Sequence, residues 1–186
     1  MPISKNHSFI EPKQDRSKKR FEEVLKTAEF IYINQDDYAL TVQDISKLSG
    51  MKRPSIYKFF PSNESILEAL SYKYAKDLFK LIEKNLNNLK YKDSKELIKA
   101  VIDVCAIYAN KNYPFSDLVF NRFSRGYLLE NIQALIKSQN HEESTKVKLT
   151  LGILMSCLRD YLDEESNISP RSISETKRVC LLYLSN

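Results

Sequence analysis

Glycine and cysteine are scarce in this chain, and the usual catalytic signatures are missing. Only three Gly occur in 186 residues. With no run of alternating β-branched residues, this argues against sheets and for an all-α protein. Cys105, Cys157 and Cys180 are odd in number and widely spaced, and no CxxC pair exists, which speaks against a zinc site. Each lies in an apolar helical run, where cysteine acts as a small buried hydrophobe in a reducing cytosol. None has an adjacent base of the kind a redox switch needs. The two histidines, His7 and His141, fall in a tail and a loop, away from any nucleophile or ligand partner in sequence. There is no Gly-rich phosphate loop, GxSxG or HExxH. Glu22-Glu23, Glu142-Glu143 and Glu164-Glu165 are neighbours in sequence, but adjacent helical residues point apart, so they read as solvated faces. The expectation is a chain that is not an enzyme and uses no metal and no cofactor. No apolar stretch is long enough to span a membrane, and the N-terminus has no apolar signal core. A cytoplasmic protein without a membrane partner is expected.

What is present is a packable core and a localised basic charge. Hydrophobic residues make up 42% and the net charge is +5. The charge is concentrated near the start: Lys5, Lys13, Arg16, Lys18, Lys19 and Arg20 face only Glu11 and Asp15. Alone, such a run is either a solvated tail or a polyanion-binding patch. The next segment favours the second. Residues 40–67 read LTVQDISKLSGMKRPSIYKFFPSNESIL, two short helices joined by a tight turn and followed by a third. Thr41 suits a helix N-cap, with Val42, Ile45 and Leu48 as its apolar positions. Gly50 stands where that helix must stop and reverse. Pro54 belongs to the first turn of the next helix, from about Arg53 to Phe60. Ile56, Phe59 and Phe60 give it an apolar face and leave Lys52, Arg53, Ser55, Tyr57 and Lys58 outward. Pro61 closes it, and Ser62 with Asn63 opens a fourth helix. A short, supported helix with cations and hydrogen-bonding groups on its free face suits the major groove of double-stranded DNA.

Residues Gly50 to Glu64 resemble the DNA-binding signature of the TetR family of bacterial transcription regulators. The pattern is Gly, apolar, polar, three small or polar residues, Leu or Ile, Tyr, a variable residue, aromatic or His, then Phe and a polar helix start. Arg20, Val24-Leu25, Ala28 and Ile31 match the family's first helix; Leu40-Thr41, Asp44-Ile45-Ser46 and Gly50 match its second. The match spans roughly residues 16 to 67. The resemblance implies DNA contact by Gln43, Lys52, Arg53, Ser55, Tyr57 and Lys58. By their chemistry, Arg53 or Lys52 suits guanine O6/N7 and Gln43 suits adenine N6/N7. Thr41 and Tyr57 suit phosphates, while Pro54 and Ser55 suit a thymine methyl. Two residues depart from the pattern. Lys52 replaces a Ser or Thr, so capping of the recognition helix is weaker or comes from elsewhere. Asn63 replaces a phosphate-contacting Lys, so that contact becomes an uncharged hydrogen bond.

Periodicity gives about nine helices in all. Residues 1–14 read as a flexible basic arm, 15–63 as a three-helix DNA-binding head, and 64–186 as a larger helical bundle for ligand sensing and dimerisation. Helices are expected over Asp15–Asn34, Ser62–Leu89 and Asp93 or Ser94 to Asn112. Two shorter ones follow, then Glu142–Glu164 and Pro170–Leu184. The last two carry more apolar residues than one buried face requires. They are either a central core or a homodimer interface; the terminal position favours the interface, built from Leu151, Leu154, Leu158, Leu162, Leu181 and Leu184. In the family that the chain resembles, the last two helices play this part. Tyr108, Tyr113, Phe115, Phe120, Phe123, Tyr127 and Met155 either line an effector cavity or fill the core. Arg122, Arg125 and Arg159 either meet an anionic effector or lie on the surface. Two functions remain. One is a repressor released from a palindromic operator by a small-molecule effector, with the fourth helix as the moving link. The other is a nucleoid or protein-interaction factor of the same fold that needs no inducer.

Overall fold

The computed structural model describes residues 7–34, 40–87, 91, 93–112, 115–138, 145–160, 162 and 167–185. Among them are nine helices: α1 (Asp15–Asn34), α2 (Val42–Ser49), α3 (Arg53–Tyr57), α4 (Asn63–Asn87), α5 (Ser94–Lys111), α6 (Ser116–Phe120), α7 (Arg122–Ser138), α8 (Thr145–Asp160) and α9 (Pro170–Ser185). No strand occurs among the described residues beyond a single bridge between Leu162 and Ile168. The chain is therefore all-α, as its composition indicates. It divides into two compact units, Met1–Leu70 and Ser71–Asn186. The division falls inside α4, a few residues later than the change at 63–64 read from sequence.

In the first unit, one face of α1 buries Phe21, Val24, Leu25, Ala28, Ile31 and Tyr32. α2 packs on both α1 and α3, and Val42 and Ile45 of α2, Ile56 of α3 and Phe60 are all buried. The Phe21 and Phe60 rings stack with centroids 4.7 Å apart, and Phe59 meets Phe21 edge-on at 5.9 Å. Burying an aromatic side chain of this size contributes about 1.5–3 kcal/mol. Two expectations are corrected here. Leu48 is exposed, so only Val42 and Ile45 anchor α2. Residues 7–14 are not a free arm: Phe9 is 5% exposed and joins the aromatic core, with its ring 6.1 Å from that of Phe21. Residues 1–6 of the expected arm lie outside the described residues.

In the second unit, α5 is the most buried helix, with Leu97, Ile98, Val101, Ile102, Val104, Cys105, Ala106, Tyr108 and Ala109 inside. Asp93 caps it, accepting from the backbone N–H groups of Lys95 and Glu96, each at 2.9 Å. Those bonds, Glu96 first, hold its carboxyl below the ordinary range. α5 packs on α8 and α9, and Lys177 of α9 pairs with Asp103 at 2.5 Å. Asn110 grips the connection before α9 through both amide atoms. It donates to the Ile168 carbonyl (3.1 Å) and accepts from the Ile168 N–H (2.7 Å). Burial pushes the thiols of Cys105 and Cys180 up to about 12, so neither is a thiolate at neutral pH. The α8 helix expected over Glu142–Glu164 is observed from Thr145 to Asp160, and Glu142 and Glu164 lie outside the described residues.

The apolar excess of α8 divides differently from the sequence reading. Leu151, Leu154 and Leu158 are fully buried inside their own chain, because α8 packs against α5, α6, α7 and α9 together. They are core residues and are not displayed for a partner. Leu149 is exposed, and Ile153 and Cys157 are half-buried; their i, i+4, i+8 spacing makes one outward stripe. On α9, Leu182 is exposed while Leu181 and Leu184 are half-buried; Leu162 is also half-buried.

Candidate nucleic-acid interface

The reading motif is built by local chemistry. Thr41 has extended backbone angles (φ −114°, ψ 149°), and its Oγ1 accepts from the Asp44 N–H at 3.2 Å. Its hydroxyl donates to the Asp44 carboxylate at 2.5 Å. The first bond caps the α2 start, and the second holds the capping side chain in place. Gly50 ends α2 in the left-handed region with φ 70°. A Cβ placed there meets nothing within 4 Å, so the need for glycine is backbone strain alone, about 1–2 kcal/mol for another residue. We expect Gly50→Ala to lower the thermal midpoint of the head and Gly50→Asn to lower it less, since Asn tolerates this conformation. Equal melting of all three proteins would contradict the assignment.

The turn is tied by Ser46 Oγ donating to the Met51 carbonyl at 2.7 Å and by the Met51 N–H donating to Ser49 Oγ at 3.2 Å. Lys52 then serves as N-cap of α3 without a side-chain bond (φ −67°, ψ 133°). As the sequence departure suggested, support for α3 comes from elsewhere. Only Ile56 of α3 is fully buried. Beyond Tyr57, the Phe59 and Phe60 N–H groups both reach back to the Ile56 carbonyl in a turn. The regular helix is thus shorter than the expected Arg53–Phe60, since the residue before Pro61 is driven out of helical geometry.

On the free side, Lys52, Arg53, Pro54 and Lys58 are exposed, Tyr57 is 49% exposed and Ser55 is half-buried. Gln43 on α2 is exposed as well. Among the described residues, Lys52, Arg53 and Lys58 have no acidic partner. A row of unneutralised donors on a supported helix can offer hydrogen bonds to base edges and phosphates. Lys19 and Arg20 of α1 are also exposed; Lys18 pairs with Asp15 at 3.0 Å on the surface, an interaction worth little.

Two expected contact residues have internal work. The Thr41 hydroxyl is occupied by Asp44, as above. Asn63 Oδ1 accepts from the Val42 N–H at 2.9 Å, tying the start of α2 to the start of α4. Its Nδ2 can still donate a hydrogen bond outward. No sequence pattern marks this bond, because its partners are 21 residues apart. Ser62 and Ser65 cap α4 reciprocally, at 3.1 and 3.2 Å.

The expected effector residues differ in burial and in partners. Phe120 and Met155 are buried core side chains. Tyr108 is buried and donates its hydroxyl to the Tyr74 carbonyl at 3.1 Å; burial raises its pKa, with Asp77 adding to the rise. Phe123 lies half-buried under the Arg122 guanidinium, 4.8 Å from its centroid. Tyr127 is half-buried and meets Tyr72 at 4.7 Å and Phe79 at 6.2 Å. Arg125 donates to the Gly152 carbonyl at 3.2 Å. Arg159 is 53% exposed and pairs with Asp160 at 3.0 Å, so it faces water and is removed from the interior set. Tyr113 lies outside the described residues. Among the described residues there is no group of three potential metal ligands and no helix long and apolar enough to cross a membrane.

Comparisons with known proteins agree with this geometry. Residues 26–70 match the family described as bacterial regulatory proteins, tetR family. No curated protein matches the chain. Among solved structures, the chain is similar to a TetR-family transcriptional regulator from Streptomyces coelicolor, with TM-score 0.71 and 14% identity over 89% of this chain and 98% of that one. It is also similar to the TetR-family regulator PfmR from Thermus thermophilus, with TM-score 0.53 and 22% identity over 88% and 97%. A third similar structure is RolR in complex with resorcinol, with TM-score 0.60 and 10% identity over 90% and 88%. At these identities the likeness concerns the fold, while the family match covers the reading motif itself. The segment that holds the helix-turn-helix thus matches the model of the tetR family of bacterial regulatory proteins, and the chain as a whole is similar in fold to a regulator of that family.

Proposed function

We propose that the chain is a homodimeric, sequence-specific transcriptional repressor that a small-molecule effector releases from its operator. The observation that carries the reading is the exposed row Lys52, Arg53 and Lys58, without an acidic partner among the described residues, with Tyr57 and Gln43 beside it, on a helix-turn-helix that matches the family model. Arg53 and Lys52 supply donors for guanine, Gln43 for adenine, and Tyr57 with the Asn63 amide group for phosphate. Dimerisation is supported by the outward stripe Leu149, Ile153 and Cys157 on α8 and by Leu182 on α9. Sensing is supported by analogy with RolR, whose structure holds resorcinol, and by the half-buried Tyr72–Tyr127–Phe79 rings, which suit an apolar, planar compound. The full burial of Phe120 and Met155 favours the second reading, a DNA-binding factor of the same fold without an inducer.

The test is selection from a random duplex pool by the intact protein. An inverted repeat should be enriched, and a compound that induces release should bind the operator complex more weakly, by the same factor by which it lowers operator affinity. Neutralising Lys18, Lys19 and Arg20 should flatten the salt dependence of binding, by about 0.9 in log–log slope for each phosphate that is no longer neutralised. The enriched sequence should stay the same. An unchanged slope removes these side chains from the interface, and failure to enrich any sequence removes the repressor reading.

A further inference from the structure

The recognition helix has little to hold it. It is a five-residue helix with no side-chain cap at Lys52, and only Ile56 within it is fully buried. Its trailing turn ends on carbonyls that a short helix cannot satisfy by itself. The segment His7–Ile10, which no sequence pattern marked as structured, supplies what is missing. The Ile10 N–H donates to the Phe59 carbonyl at 2.8 Å. The Phe9 ring is buried against Phe21, which itself stacks on Phe60 and meets Phe59 edge-on. His7 stacks on Phe9 with centroids 4.8 Å apart. At its outer end the segment is anchored to α4. The Ser8 N–H donates to Glu68 Oε2 at 3.0 Å, the Ser8 hydroxyl donates to the same oxygen, and His7 Nδ1 lies 3.5 Å from Glu68 Oε1.

We propose that His7–Ile10 is a strap that sets the position of the recognition helix, with Phe9 and Glu68 as positioning residues for DNA reading. The proposal rests on the DNA-binding reading above, but its first consequence can be measured without DNA. With the strap docked, the Ile10 N–H holds the Phe59 carbonyl, the Phe9 ring backs Phe21, on which Phe59 and Phe60 pack, and α3 presents Arg53 and Tyr57 in one orientation. With the strap undocked, that orientation is one of several, and apparent affinity falls with the competent fraction.

The experiment compares Phe9→Ala, Phe9→Leu and Glu68→Ala with the wild type in the full chain, by amide hydrogen exchange and by titration with the duplex that the wild type enriches from a random pool. In Phe9→Ala, the Phe59 and Phe60 amides should exchange faster while α5 and α9 exchange as before. Affinity should fall about tenfold at every salt concentration with the salt slope unchanged, as expected when only the competent fraction changes. Phe9→Leu should restore most of both, because it refills the site. Glu68→Ala leaves the Phe9 ring in place and should give the same pattern more weakly, which keeps the test open if Phe9→Ala fails to fold. Wild-type exchange and affinity in both Phe9→Ala and Glu68→Ala would overturn the proposal. So would a reduced salt slope, which would make the segment a phosphate contact, or loosening spread evenly through α1 and α2, which would make Phe9 ordinary core. If the wild type enriches no duplex, the DNA-reading proposal fails, and exchange at Phe59 and Phe60 still decides whether the strap exists.

Discussion

We expect Arg53→Ala to remove specific operator binding while the protein stays folded and keeps its oligomeric state. The side chain is exposed on the first residue of α3 and has no acidic partner among the described residues. Its removal therefore costs the fold almost nothing, in line with surface substitutions in general. In the complex the balance reverses. A bidentate contact to guanine is worth about 1–3 kcal/mol, and a symmetric dimer loses two of them. The expected weakening runs from roughly thirtyfold to about twenty-thousandfold. Lys52 is the neighbouring donor, but an ammonium cannot reproduce the planar fork of a guanidinium. Fluorescence anisotropy against the selected duplex, beside a melting curve, checks both halves. Wild-type affinity would take Arg53 out of base reading, and a lowered melting temperature would give it a structural part that its exposure does not suggest.

The second large effect separates two leucines on the last two helices. Leu158→Asp should unfold the Ser71–Asn186 unit, whereas Leu182→Asp should leave it folded and monomeric. Leu158 is 0% exposed, so a carboxylate there is buried without a partner. An unpaired buried charge costs about 3–5 kcal/mol, and losing the leucine adds a cavity term of a similar order. Set against a typical stability of about 5–15 kcal/mol, this is enough to unfold the unit. Leu182 is 53% exposed, so in the single chain its replacement carboxylate remains in water. It is desolvated only when a partner covers α9. Circular dichroism with sedimentation velocity distinguishes the outcomes. A folded dimer carrying Leu182→Asp would place the interface on another face, and a folded Leu158→Asp protein would contradict the burial described for α8.

These two leucines also mark the border between what was legible in the chain and what was not. The periodicity of Val179 to Leu184 and of Leu149 to Leu158 identifies helices with apolar residues on two sides. It does not say which side meets the chain's own core. That choice depends on α5, α6 and α7, which pack on α8 from distant positions in sequence. The same holds for Arg159, by sequence either a contact for an anionic effector or a surface residue, and in space a surface ion pair.

The sequence by itself determined the all-α class, the run of helices and the reading motif, because each is written in contacts a few residues long. The Thr41 cap, the left-handed Gly50, the proline in the first turn of α3 and the Asp93 cap are local devices, and all four stand where residue type placed them. Exposure of Arg53, Tyr57 and Lys58 follows from the same short periodicity. Only the tertiary structure decided that Phe9 is core, that Asn63 holds the start of α2, that Glu68 anchors His7 and Ser8, and that α8 turns Leu151, Leu154 and Leu158 inward. These contacts join residues from 12 to 61 apart or match one helix face to another. Such pairings leave no periodic trace in a single chain, since each partner would be equally at home in a solvated segment until the fold brings the two together.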